Sequence, residues 1–159
     1  MSDGDGWQWD IFERIVKSEA EASVIYEDEV VVAFMAAKPV NKGHALVIPR
    51  KTIRWLEDLD DDTAAHMFVV ARRIAMAIPK TSIRCEGINL FLADREAGGQ
   101  EVFHVHLHVT PRYRGDGFGF QYNEDYGKPV SREELDTVAE EIRSAMEGWT
   151  RFRGKSIAD

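Results

Sequence analysis

The chain has 159 residues, of which 44% are hydrophobic and 30% are charged, and its net charge is −8 at pH 7. This composition is that of one ordinary globular domain and excludes the fibrous and disordered classes. The acidity disfavours binding of nucleic acid through phosphate attraction, whereas a small phosphorylated ligand depends on local donors. One cysteine excludes an internal disulfide or a multi-cysteine metal site. Since the sequence shows neither a membrane-length apolar run nor a signal peptide, we expect a cytoplasmic protein with no nucleic-acid or membrane partner.

The first third of the chain predicts one short helix and three strands. Residues 1–8 are rich in Gly and Asp and are expected to be loose. Apolar side chains at helical spacing predict an amphipathic helix over residues 11–16. β-Branched and aromatic residues predict a hairpin with strands at 23–27 and 30–35, and a third strand at 44–49.

The remainder predicts a long helix, two strands and a final helix. Asp60 is expected to cap a helix that ends at Pro79, with a buried stripe of Ala64, Met67, Phe68, Ala71, Ile74, Ala75 and Ile78. Strands are predicted at 88–92 and 102–110, the latter stopped by Pro111. Ser131 can cap a last helix through Glu134, with a buried face of Leu135, Val138, Ile142 and Met146.

These elements predict an α+β fold, with a mostly antiparallel sheet of about five strands, helices packed on it and an extra C-terminal helix. Residues 9–114 are expected to form the domain, and the loop and helix of 115–150 are expected to pack on it. Residues 151–159 are expected to be a solvated tail. No internal repeat or domain linker is evident.

Three of the five histidines lie at positions 104, 106 and 108 of a predicted strand. Side chains alternate along a strand, so the three share one face, with Cβ atoms about 7 Å apart. Neutral imidazole is available at pH 7 and can act as a nucleophile that forms a covalent intermediate. Two other interpretations stay open, namely solvated surface histidines and a metal site that His44 could complete.

The context of this triplet resembles the histidine triad (HIT) family. The signature is the run Gly98-Gly99-Gln100-Glu101-Val102-Phe103, followed by the alternating histidines and Thr110-Pro111-Arg112. The resemblance extends upstream through Tyr26-Glu27-Asp28, Ala33-Phe34 and the stretch from Pro39 to Gly43-His44-Ala45-Leu46-Val47-Ile48-Pro49. It covers residues 9 to 114, about two-thirds of the chain.

The resemblance implies roles for the four histidines. His106 would attack the α-phosphate of a nucleotide and form a nucleotidyl-histidine that water hydrolyses. His104 and His108 would orient His106 and contact phosphate, and His44 would lie behind them. The relatives that transfer nucleotides to a sugar have glutamine at the third histidine position, so His108 favours hydrolysis.

The resemblance also implies a purine nucleotide (AMP-type) ligand and a homodimer. Gln100, Glu101 and Val102 match turn residues near the phosphates, although Gln100 could equally serve only to stabilise the turn. The positions that line the nucleobase pocket in the family would here be Ile11, Phe12, Ile15, Phe34 and Leu46. Plain core packing is the alternative interpretation of these apolar residues.

Five positions depart from the family's pattern. Where some members bind a structural zinc, this chain has Asp10, Glu13 and Thr52 and retains only His104, so no structural zinc and no required cofactor are expected. Ala36 replaces the Asp or Asn that bonds the ribose hydroxyls. Glu101 replaces a small hydroxylated residue that supports the leaving group.

The sequence therefore predicts a hydrolase that cleaves a nucleoside phosphoramidate or a dinucleoside polyphosphate. Two alternatives remain. The protein could be a nucleotide-binding module with weak catalysis that acts through a protein partner, or a metal-dependent hydrolase that uses the same histidines.

Overall fold

The computed structural model of the protein describes residues 6–146 and 148, with side chains from residue 11 onward. The described residues fall into two compact units, one ending at Asp116 and the other beginning at Gly117. The predicted tail at 151–159 and residues 1–5 lie outside the described residues. The expectation that 115–150 pack on the main domain stays a prediction.

The first unit is a five-stranded antiparallel sheet with a helix on each face. Its strands are β1 (Val24–Glu27), β2 (Val31–Met35), β3 (Ala45–Pro49), β4 (Gly87–Leu92) and β5 (Leu107–Arg112). Their spatial order is β1-β2-β3-β5-β4. Its helices are α1 (Gly6–Val16) and α2 (Asp61–Ala77). The predicted fold class is confirmed.

Alternation along the central strands separates two cores. On β2 and β3 one set of side chains packs with α2, together with Val105, Leu107 and Val109, which alternate with the three histidines. The opposite set, Val32, Phe34, Leu46 and Ile48, packs with Phe12 of α1. One face of the sheet is thus filled by α2, and the other by α1.

Two expectations about the helices of the first unit need correction. Helix α1 begins at Gly6, so residues 6–8 are helical, because the Trp-Gln-Trp run after Gly6 contains no helix breaker. Phe68 on α2 is 53% exposed, although it was expected to be buried. Successive helical residues are about 100° apart, so Phe68 turns away when Met67 and Ala71 face the sheet. The predicted cap is confirmed, because the Asp60 side chain accepts from the Thr63 backbone N–H.

The predicted end of β5 at Pro111 is wrong, since the strand continues to Arg112. The Pro111 carbonyl accepts from the side-chain amide of Asn41, on the side of β3. The proline nitrogen faces the same side, and β3 pairs with β5 only over residues 107–109. The missing N–H therefore costs no sheet hydrogen bond.

The second unit contains helix α3 (Arg132–Ala145), capped by Ser131 as predicted. The apolar face that was expected to be buried is instead 44–58% exposed: Leu135, Val138, Ile142 and Met146. Within the described residues of this unit there is no second helix or strand to cover it. None of the described helices of the protein combines the length and apolarity needed to cross a membrane.

Candidate functional site

Four histidines meet on the α1 face of the sheet. The β3–β5 pairing sets Leu46 opposite His108 and thereby brings His44, just before β3, beside His108. The ring centroids are 5.1 Å apart for His44 and His108, and 4.8 Å for His106 and His108. His44, His104 and His106 are each at most 4% exposed.

The triplet is not wholly on a strand, because β5 begins only at Leu107. His104 and His106 precede it, in a segment where the His104 N–H bonds the Val102 carbonyl and the Val105 N–H bonds the Ile53 carbonyl. The rings still converge, since Phe12 contacts both His104 and His106 edge-on, at centroid distances of 6.1 and 5.2 Å.

The hydrogen bonding of His106 determines its tautomer. Its Nδ1 lies 2.7 Å from the backbone carbonyl oxygen of His104. A carbonyl can only accept, so the proton is on Nδ1 and the lone pair is on Nε2. The sequence led us to expect that the ring of His104 holds His106; the structure assigns this to the main-chain carbonyl of His104.

His44 and His108 are joined by a hydrogen bond, and both carry the proton on Nε2, whereas His106 carries it on Nδ1. The Val40 N–H donates to His44 Nδ1 over 3.1 Å, so the proton of His44 is on Nε2. His44 Nε2 then donates to His108 Nδ1 over 2.9 Å, which leaves the proton of His108 on its own Nε2. His108 can therefore donate through Nε2, whereas His106 offers an electron pair at the same ring position.

His104 has one buried ring nitrogen that can accept a hydrogen bond. Its Nε2 donates to the Pro49 carbonyl oxygen over 2.8 Å. Its Nδ1 is buried and has no hydrogen-bond partner among the described residues. A buried acceptor without a partner is costly, and a ligand hydroxyl or a water molecule could satisfy it.

Burial keeps the cluster neutral. It lowers the pKa of all four histidines, since it penalises the charged imidazolium. For His108, burial and the neighbouring His106 and His44 lower the pKa to about 3. At neutral pH the site thus holds neutral imidazoles, the form that can act as a nucleophile.

An aromatic side chain that the sequence analysis missed also holds His108. Phe91 lies directly opposite His108 in the β4–β5 register. The two rings stack with centroids 4.1 Å apart and planes at 9°. Strand β4 could be predicted, but its register against β5 depends on the folded sheet, so no sequence signal pointed to this pair.

A polar network behind His44 was also missed. The side-chain amide of Asn41 donates to the Asp116 carboxylate over 2.8 Å, and the backbone carbonyl of Asn41 accepts from the His44 N–H. Arg112 holds the same carboxylate through two nitrogens. The network ties the loop before β3 to the end of β5, which are the two segments that carry His44 and His108.

The predicted nucleobase-pocket residues do come together beside the histidines. Phe12 and Phe34 contact edge-on, with centroids 5.5 Å apart. They belong to one apolar cluster, which also includes Ile11, Ile15, Leu46, Ala36 and Val102. This position fits both interpretations of these residues. They pack α1 against the sheet, and they also form a wall beside the histidines.

Gln100 is buried and its side chain fixes the turn before the histidines. Its Oε1 accepts from the Arg95 N–H over 2.7 Å, and its Nε2 donates to the Arg54 carbonyl over 2.9 Å. Arg95 has φ of 64°, a conformation that is rare for a residue with a side chain. The geometry shows the turn-stabilising role, and the phosphate contact of Gln100 stays a prediction.

Metal ligation was one of the alternatives for the histidines. Over the part of the chain that the structure describes, no group of three or more His, Cys, Asp or Glu side chains is arranged to hold a metal ion. Asp10, at one of the family's zinc positions, has no described side chain.

Comparisons with known proteins agree on one family. A family model described as the HIT domain matches residues 17–115. An uncharacterized HIT-like protein of Methanocaldococcus jannaschii is 36% identical over 133 residues, which cover 84% of this chain and 98% of the relative. A crystal structure of a HIT family protein from Bacillus anthracis is 35% identical, with a TM-score of 0.78, and covers 91% of this chain and 99% of that one.

A crystal structure of a HIT family hydrolase from Legionella pneumophila is 31% identical, with a TM-score of 0.56 and coverage of 74% and 98%. The fold and the buried histidine cluster define a HIT-like α+β protein. With the family model matching well over half of its length, the chain belongs to the HIT family.

Proposed function

We propose that this protein hydrolyses nucleotides at the α-phosphate through a covalent nucleotidyl intermediate on His106. The observation that carries the proposal is the pair of opposite tautomers in the cluster. His106 has its proton held on Nδ1 and its lone pair on Nε2, whereas His108 has a donor at Nε2. A nucleophile and a hydrogen-bond donor for the phosphate oxygens then act side by side. The hydrolase named among the solved relatives is consistent with this chemistry.

Hydrolysis of a phosphoramidate would take two steps. His106 Nε2 forms a bond to phosphorus, and the leaving nitrogen, protonated from water, departs with the electron pair of the P–N bond. A water oxygen then attacks phosphorus, the electron pair of the P–Nε2 bond returns to His106, and the released proton goes to solvent. His108 Nε2–H donates to a phosphate oxygen throughout.

We propose an AMP-type purine nucleotide as the ligand. The apolar cluster around Phe12 and Phe34 lies beside the histidines, where it can contact a base. No cofactor is required by these steps, and we expect no structural zinc. Metal analysis of the protein purified without added metal checks this, and stoichiometric zinc would revive the metal-dependent alternative.

The test is intact-protein mass spectrometry after rapid acid quench with adenosine 5′-phosphoramidate. We expect an adenylyl adduct in the wild type and none in His106→Ala, with activity lower by several orders of magnitude. His104→Ala and His108→Ala should lose less. His66→Gln, which replaces the one histidine outside the site, is the matched control. Normal turnover by His106→Ala would refute the assignment of the nucleophile.

The alternative is a nucleotide-binding module with weak catalysis, and the replacement of usual polar residues by Ala36 and Glu101 favours it. Nucleotide binding in calorimetry without turnover of phosphoramidates or dinucleoside polyphosphates would support that alternative.

We also propose a homodimer. Phe68 and Met76 on α2 are 53% and 58% exposed, and a symmetric contact between two copies would bury such side chains. Sedimentation at micromolar concentration tests the proposal, and a monomer would contradict it.

A further inference from the structure

An apolar cavity lies on the α2 face of the sheet. Its volume is about 350 Å³, near the lower end of the range that is typical of small-molecule sites. Its walls include Ile25 and Tyr26 of β1, Met35 of β2, Val70 and Ile74 of α2, and Ile78 just after α2. The four histidines occupy the opposite face, beside Phe12 of α1, so the cavity is separate from the proposed catalytic site.

The cavity exists because β1 is not covered by α2. Tyr26 lies opposite Ala33 in the β1–β2 register, so its side chain is on the α2 face of the sheet. A bulge between Val24 and Tyr26 bends the strand. Helix α2 packs chiefly on β3 and β5, and all four residues of β1 are exposed. A gap is therefore left between α2 and the β1 edge of the sheet.

The walls of the cavity suit a hydrocarbon chain. Nearly all of the wall atoms that a ligand can reach are apolar. The two hydroxyl groups among the wall residues are already bonded within the protein. The Tyr26 hydroxyl donates to Asp28, and the Thr81 hydroxyl donates to the Ile78 carbonyl and accepts from the Ile83 N–H. The inside of the cavity therefore offers hydrophobic contact and no open hydrogen-bonding position.

A cation without a partner stands at the edge of the cavity. Arg73 of α2 belongs to the wall and is exposed, and its guanidinium makes no hydrogen bond or ion pair with any residue that the structure describes. The carboxylate of Asp28 does not take this role, because it is bonded to Tyr26, His66 and two backbone N–H groups. The Arg73 guanidinium is thus available to a ligand.

A ligand that satisfies both features has a hydrocarbon chain and an anionic head. We propose that this cavity is a binding site for a free medium-chain carboxylate, whose chain fills the cavity and whose carboxylate pairs with Arg73. The planar guanidinium presents a fork of donors that matches the two oxygens of a carboxylate. This site is independent of the proposed hydrolase function.

The test is titration calorimetry with hexanoate, octanoate, 1-octanol and octylammonium below their micelle concentrations. Arg73→Gln removes the charge at the edge of the cavity. Ala77→Leu fills the cavity from an exposed wall position, so the fold should tolerate it. Arg72→Gln is the matched control, since it removes the same charge from the neighbouring exposed residue, which is not part of the wall. Thermal melting checks that each variant is folded.

We expect the wild type to bind octanoate about tenfold more tightly than hexanoate, the effect of burying two more methylene groups. Octanoate should bind about fivefold more tightly than 1-octanol, the effect of one charge pair at short range in water, and octylammonium should bind most weakly. Arg73→Gln should bind octanoate and 1-octanol equally. Ala77→Leu should weaken the binding of every ligand at least tenfold, and Arg72→Gln should behave as the wild type.

Two kinds of result would overturn the proposal. If the wild type does not bind octanoate at millimolar concentration, or if folded Ala77→Leu binds it as the wild type does, the cavity is not a site for this ligand. If the preference for octanoate over 1-octanol persists in Arg73→Gln, or is lost equally in Arg72→Gln, Arg73 does not hold the carboxylate.

Discussion

Protonation of His108 should destabilise the folded protein as the pH falls below about 6.5. The folded state binds this proton only near pH 3, because burial and the adjacent His106 and His44 lower the pKa to about 3. The unfolded chain takes up the proton near its ordinary pKa of 6.5. The unfolded state therefore binds more protons between these values, and the free energy of unfolding falls as the pH falls through this range.

The size of this loss of stability follows from how far the pH lies below the pKa of His108 in the unfolded chain. At pH 5, which is 1.5 units below the unfolded value, His108 alone should cost up to about 2 kcal/mol, at 1.36 kcal/mol per unit. Above pH 6.5 His108 is neutral in both the folded and the unfolded state, so this cost is absent. His44, His104 and His106 should act in the same direction, since burial lowers the pKa of each.

The assay is urea unfolding followed by tryptophan fluorescence at pH 7.5, 6 and 5, for the wild type and His108→Gln. Glutamine does not titrate, and carboxylates common to both proteins cancel in the difference. The stability difference between wild type and variant should therefore shift by about 2 kcal/mol in favour of the variant from pH 7.5 to pH 5. A difference that stays constant with pH would refute the reasoning, because His108 would then bind its proton equally in both states.

Three further substitutions test other parts of the site. Ala36→Asp should tighten AMP binding in calorimetry by about 1.5–3 kcal/mol through a new hydrogen bond to the ribose, and unchanged or weaker binding would mean that another group fills this role. Gln100→Leu should lower the free energy of unfolding by about 1–3 kcal/mol, because the Arg95 N–H and the Arg54 carbonyl lose their partner; wild-type stability would exclude this turn-stabilising role. Gly43→Ala should cost at least about 1 kcal/mol, since Gly43 has φ of +95° and an added Cβ would lie 3.1 Å from Ile83 and Pro111. An unchanged melting curve for Gly43→Ala would mean that the loop before β3 relaxes freely.

The sequence by itself determined most of the fold and which histidines meet in the cluster. Period-two and period-3.6 patterns located the strands and helices, because these periods are properties of the local backbone. Capping by Asp60 and Ser131 was also predictable, since a cap depends on residues three positions apart. The spacing of the three histidines pointed to the segment that carries the histidine cluster, and resemblance added His44.

Burial at single positions and the proton positions in the site were decided only by the tertiary structure. Phe68 and the apolar face of α3 were expected to be buried, because periodicity shows which residues share a face. Periodicity does not show whether another element covers that face. The stacking of Phe91 on His108 required the register of β4 against β5.

The tautomers of His104 and His108 depended on contacts between distant parts of the chain, whereas that of His106 is set by the His104 carbonyl two residues away. His104 donates to Pro49, 55 residues away, and His44 donates to His108, 64 residues away. A histidine becomes a donor or an acceptor at a given nitrogen according to what the other nitrogen bonds. Local sequence could therefore indicate which imidazoles cluster. The donor at Nε2 of His108 had to await the folded sheet, and the lone pair at Nε2 of His106 required the backbone conformation that sets its Nδ1 against the His104 carbonyl.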